Sequence, residues 1–261
     1  MNKLLVYSDN AIESIWFKSL HHSFKNLESR NIEARGKNIP VIEDLIQYDR
    51  PDIILTDGTK AFLVIEKTRE VPTGHNVGQR VARLVKAIEN GIPTIKFFPF
   101  DAKKHGAHAG ICNLNIRLLL AFERMWDIHD CPILAMNWIA DKDGELIDDG
   151  SEDNEIKSVL NAFVNSGFNP KCSKFFDLRH QLQREYTTRI TKRPKYGDPP
   201  PSVILNSTAS YLNKLGFSIE SNMKSQLLKN QESLVYLIGM TEEKCKRQDP
   251  YTGTQFIYDY A

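Results

Sequence analysis

Two short apolar runs on either side of a polar turn constrain this chain more than any other stretch. Residues 50–68 read Arg-Pro-Asp-Ile-Ile-Leu-Thr-Asp-Gly-Thr-Lys-Ala-Phe-Leu-Val-Ile-Glu-Lys-Thr. The runs 53–55 and 61–65 flank the segment Thr-Asp-Gly-Thr-Lys, which predicts a β-hairpin. Asp52 opens the first strand and Glu66 closes the second. In a hairpin the start of one strand lies beside the end of the other, so the two carboxylates meet at one end of a sheet. Buried strands rarely carry carboxylates without a partner. Two of them at one sheet end form a cage for a hard divalent cation such as Mg2+, which prefers oxygen ligands.

Pro51-Asp52, then Glu66 after a hairpin, then a short polar exit and a helix, resembles the PD-(D/E)xK phosphodiesterase superfamily of restriction endonucleases and repair nucleases. The family pattern ends carboxylate-x-Lys. Here the order is Glu66-Lys67-Thr68, with lysine one place early and threonine in the lysine slot. The resemblance covers roughly residues 41–100. It implies catalysis by Asp52, Glu66, Lys67 and Thr68, with Asp52 and Glu66 holding Mg2+. It also implies cleavage of double-stranded DNA by a type II restriction endonuclease acting as a homodimer, since a two-fold DNA site is matched by two-fold protein symmetry. The alternative from another class is a non-catalytic nucleic-acid-binding or defence accessory protein on a degenerate nuclease fold.

Period-two alternation puts Thr68 on the face of Glu66 and Lys67 on the opposite face. The positive charge of the family motif then has three sources. A β-bulge could rotate Lys67 inward, Thr68 could fill the slot with its hydroxyl, or Lys96 could reach over from a neighbouring strand.

The fold class expected is α/β, with a restriction-endonuclease-like mixed central sheet flanked by helices. The pattern predicts a helix over 10–28 from Ile12, Ile15, Trp16, Leu20, Phe24 and Leu27, and a short helix over 41–47. A breaker-rich loop over 69–76, holding His75, precedes a helix over 76–89 and a strand over 93–98. Strand, helix, strand is a crossover unit with parallel strands at its ends. A helix over 114–126 and a strand over 131–138 complete an α/β core spanning 1–150. From 151 to 261 the pattern changes to a mainly helical lobe, with helices over 152–165, 173–188, 206–214 and 222–230 and an extended run at 233–238.

Nucleic-acid contacts are expected from Gln79 and Arg80, one turn into the helix after the motif, and from Lys103 and Lys104 just past a core strand. The densest basic stretch contributes Arg189, Lys192, Arg193 and Lys195, with Tyr186 and Tyr196 interleaved. Basic residues of this kind supply affinity for phosphates. Glu13, on the first helix, is a further candidate beside the metal.

The composition of the 261 residues, 41% hydrophobic and 26% charged, is ordinary for a globular protein. A net charge of +1 argues against a non-specific nucleic-acid coat protein. No apolar run approaches the ~20 residues needed to span a bilayer. Four cysteines without CxxC spacing, and an N-terminus lacking a signal-peptide core, point to the cytoplasm and to no membrane partner. P-loop, Rossmann, GxSxG and HExxH patterns are absent.

Overall fold

A computed structural model describes residues 3–69, 72, 80–106, 109–114, 116–192, 202–206 and 233–237. The chain divides into two compact units, residues 1–193 and 194–261. The first is an α/β unit built on a six-stranded mixed sheet flanked by helices. Its strands are β1 (Leu5–Ser8), β2 (Glu28–Asn31), β3 (Ile53–Thr56), β4 (Ala61–Lys67), β5 (Thr94–Phe98) and, after a side hairpin, β8 (Ile133–Asn137). They lie in the order β2-β1-β3-β4-β5-β8.

The predicted hairpin is the centre of this sheet. β3 and β4 pair antiparallel, with Ile53 opposite Ile65 and Leu55 opposite Leu63. The register shifts after Leu55, and the turn holds Gly58 at φ +88°, a conformation glycine adopts without a Cβ penalty. Asp57 Oδ1 accepts the backbone N–H groups of Thr59 and Lys60 across the turn. All four residues of β3 are buried, as are all five of β5, because the central strands are covered on both faces.

β4 runs parallel to β5 and β5 parallel to β8. The first crossover passes through helix α3 (Ala82–Glu89) and the second contains helix α4 (Ile116–His129). These match the strand–helix–strand expectation from the sequence. Before the hairpin lie α1 (Ala11–Ser19) and α2 (Pro40–Leu45). After β8, α5 (Asn154–Asn165) and α6 (Ser173–Lys192) follow, and α6 packs against α4. The described part of the second unit is an antiparallel ribbon of β9 (Ser202–Asn206) and β10 (Ser233–Leu237). The helices expected over 206–214 and 222–230 lie outside the described residues except for Asn206, which ends β9.

Two expectations are corrected. The helix expected over 10–28 ends at Ser19. Leu20 and Phe24 keep their helical spacing but reach the core from a turn: the His21 side chain accepts the Ser23 N–H, a 3-10 turn spans His22–Phe24, and Phe24 stacks on Phe17 at 4.8 Å. The chain then enters β2, whose Glu-Ser-Arg-Asn is wholly exposed and carries no apolar signal. The basic loop expected at 103–105 begins as strand β6 (Asp101–Lys104), paired with β7 (Gly110–Asn113) in a separate hairpin.

Candidate functional site

The hairpin brings Asp52 and Glu66 together because Ile53 faces Ile65, leaving the preceding and following residues side by side. Asp52 is 6% exposed and Glu66 is fully buried. Asp52 Oδ2 accepts the backbone N–H of Lys67 at 2.6 Å. Burial, and next the repulsion of Glu66, push the Asp52 carboxyl up to about 7. The Asp52 carboxyl is thus held next to a second carboxylate in a site whose negative charge a cation would relieve.

β5 lies beside β4 in parallel register, so Lys96 pairs with Glu66 and shares its face. Lys96 is fully buried, and its Nζ donates to Thr68 Oγ1 at 3.3 Å. Thr68 Oγ1 in turn lies 3.4 Å from Glu66 Oε1. Desolvation brings the Lys96 ammonium down to about 8. Among the sources of positive charge left open by the sequence, Lys96 therefore stands next to the carboxylates through Thr68.

Helix α3 covers the same face. Arg83 Nη1 lies 3.2 Å from both carboxylate oxygens of Glu66 and 3.5 Å from Asp52 Oδ1. Its Nε donates to Asp49 Oδ2 at 3.0 Å. Arg80, three residues earlier, donates from Nη1 to Glu66 Oε1 at 3.2 Å. Arg80 lies in the turn that leads into α3, not one turn into the helix as expected, and its carbonyl accepts the Arg83 N–H, so the turn brings both guanidinium groups to one carboxylate. Arg83 is not among the contacts expected from the sequence; its place off the apolar face of the expected helix, three residues after Arg80, is the signal for it.

Lys67 takes the opposite face, as alternation requires. Its ammonium sits between the rings of Trp16 and Trp138, at 4.5 and 4.7 Å from their centroids, and 3.4 Å from Glu13 Oε2. Phe97, the register partner of Lys67, stacks on both tryptophans. The Lys67 backbone, by contrast, belongs to the site through its bond to Asp52. Glu13 Oε2 is buried and accepts no hydrogen bond. Burial is the largest influence raising the Glu13 carboxyl, with a further rise from the charge of Glu66.

Asp52, Glu66, Thr68 and Arg80 are thus brought together, with Lys96 and Arg83 added. The other expected contacts are engaged elsewhere. Lys103 pairs with Glu145 at 3.2 Å. Arg189 makes a two-pronged contact with Asp101, at 3.0 and 2.6 Å, and a bond to Glu185. Arg179, earlier on α6, pairs with Glu123 and Asp127. Lys104 is half-buried on β6, and Lys192 is exposed at the end of α6. Gln79, His75, Arg193 and Lys195 lie outside the described residues.

Among the described residues, no group of three or more His, Cys, Asp or Glu side chains is arranged to hold a metal ion. Two carboxylates suit Mg2+ nonetheless, because it keeps several waters and is commonly bound by one or two carboxylates plus substrate phosphate. Asp52 and Glu66 present oxygen donors of that kind, and Arg83 and Arg80 contact the same carboxylates. Among the described residues, no helix is long and apolar enough to cross a membrane. Comparison with protein-family models, curated proteins and solved structures gave no match.

Proposed function

We propose that this chain is a Mg2+-dependent endonuclease that hydrolyses phosphodiester bonds of double-stranded DNA, of the restriction type, on a restriction-endonuclease-like fold. The observation that supports it is the convergence of Asp52, Glu66, Thr68 and Lys96 at one end of the central sheet. Asp52 and Glu66 would hold the ion, which when bound would supply activation of water and compensation of charge on the leaving oxygen.

The remaining roles belong to the protein's own groups. The Lys67 N–H fixes the Asp52 carboxylate, and Thr68 ties Lys96 to Glu66. Lys96, held protonated below pH ~8, offers a desolvated positive charge to the phosphate as negative charge develops, where such a charge acts most strongly. Arg80 stands one turn away as a phosphate contact. Homodimerisation and a cytoplasmic location complete the proposal, since a two-fold DNA site calls for two copies of the site.

A second reading draws on the arginines. Arg80 and Arg83 already compensate Glu66, as expected of a degenerate nuclease fold that binds nucleic acid or serves a defence system without cutting. Supercoiled plasmid incubated with Mg2+ or with EDTA separates the two. Mg2+-dependent nicking supports the nuclease. Retardation of the plasmid without nicking supports the binding protein and refutes the nuclease.

A further inference from the structure

Arg83 occupies an unusual position for a helix arginine. One of its terminal nitrogens lies within 3.5 Å of carboxylate oxygens on both Asp52 and Glu66, and its Nε is anchored on Asp49. Two carboxylates at a sheet end need a positive charge between them, and here a guanidinium supplies it. The Arg83 side chain is 24% exposed, whereas Glu66 is fully buried, so the cation is at the open side of the pair. Asp49 is itself partly exposed at 41%, and gives the guanidinium a partner outside the carboxylate pair.

We propose that Arg83 is an exchangeable counter-cation that competes with the divalent ion for Asp52 and Glu66. The inference rests on the metal-dependent reading of the same site. In the metal-free protein Arg83 bridges the two carboxylates. When the ion enters, Arg83 leaves both carboxylates and keeps its bond to Asp49. Two cations cannot share the space between one pair of carboxylates, so each excludes the other. The apparent metal affinity is then the intrinsic affinity multiplied by the fraction of molecules in which Arg83 has let go. The geometry makes Arg83 a control on metal loading, because it contacts both carboxylates.

The test uses the full chain without DNA. Mn2+ is titrated and the unbound ion followed by electron paramagnetic resonance, with a parallel thermal melt at each Mn2+ concentration. Wild type is compared with Arg83→Gln, Arg83→Lys and Asp52→Asn. Arg83→Gln is expected to bind Mn2+ at least tenfold more tightly than wild type. Arg83→Lys, which keeps a charge but lacks the planar fork, is expected to bind at least threefold more tightly. Asp52→Asn is expected to lose binding. If Arg83→Gln does not fold, the Arg83→Lys result decides. Unchanged or weaker Mn2+ binding in the Arg83 variants, with binding still lost in Asp52→Asn, overturns the exchange and leaves the metal site standing. No Mn2+ binding by any of the proteins overturns the metal site and the exchange together.

Discussion

Lys96→Met removes one charge from the site and keeps an unbranched aliphatic stem of similar length. The wild-type ammonium is fully buried and titrates at about 8 in place of the ordinary 10.5. The unfolded chain therefore holds this proton more tightly than the folded one. Below pH 8 both states carry the proton and the folded state bears the whole desolvation cost. Between pH 8 and 10.5 the folded state releases the proton first, and wild-type stability rises with pH. At about 1.36 kcal/mol per pH unit, the cost at pH 7 is roughly 3 kcal/mol. Lys96→Met should therefore be more stable than wild type at pH 7 by roughly 1–3 kcal/mol, as is common when buried charges are replaced by apolar groups of similar volume. The difference should shrink as pH approaches 10.5. Cleavage should move the other way, falling about 100- to 1000-fold, the usual loss when one preorganised charge or donor is removed from a transition state. Urea unfolding at pH 7 and at pH 10, with plasmid cleavage at pH 7, measures both. A Lys96→Met protein less stable than wild type at pH 7 would refute the burial argument. A variant that cuts at the wild-type rate would remove Lys96 from the chemistry.

Asp52 has the opposite pH signature: its carboxyl rises from 3.8 to about 7 on folding, so the native state keeps a proton that the unfolded state has lost. Wild-type stability should therefore fall relative to Asp52→Asn as pH rises from 4 to 7, and parallel urea curves across that range would contradict it. Glu66→Ala should destabilise by about 3–5 kcal/mol because Arg83 and Arg80 are left without their buried carboxylate, whereas Glu66→Gln should lose less; equal melting temperatures for wild type and Glu66→Ala would disprove this. Arg189→Gln should lower stability by about 1–3 kcal/mol through its lost bonds to Asp101 and Glu185. It should leave the slope of log K against log salt for DNA unchanged, whereas a slope flattened by about 0.9 would assign Arg189 a phosphate contact.

Local patterns made the sheet centre legible. Apolar runs of strand length around Asp57-Gly58 specified the hairpin, and alternation alone placed Glu66 with Thr68 and turned Lys67 away. The crossover helix and the strand after it followed from spacing in the same way. What could not be read depends on register between distant strands. Lys96 meets Thr68 only because β5 aligns residue 96 with residue 66 after a crossover, and no local pattern encodes that alignment. β2 was invisible for a different reason. An edge strand of Glu, Ser, Arg and Asn has no apolar periodicity, and its pairing is set by β1. The aromatic clamp on Lys67 joins Trp16, Phe97 and Trp138 from three separate elements, so its parts were visible singly but not as a set. The basic stretch shows the limit of charge counting: Arg179 and Arg189 are taken up by carboxylates within the fold.

The central claim is that the Asp52–Glu66 pair supports metal-dependent hydrolysis of DNA. Cleavage of supercoiled plasmid by wild type, Asp52→Ala and Glu66→Gln, each with Mg2+ and with EDTA and each checked by a thermal melt, tests it most directly. The account predicts nicking by wild type in Mg2+ alone and none by either folded variant. Cleavage by folded Asp52→Ala at the wild-type rate, or the same wild-type activity in EDTA, would contradict it.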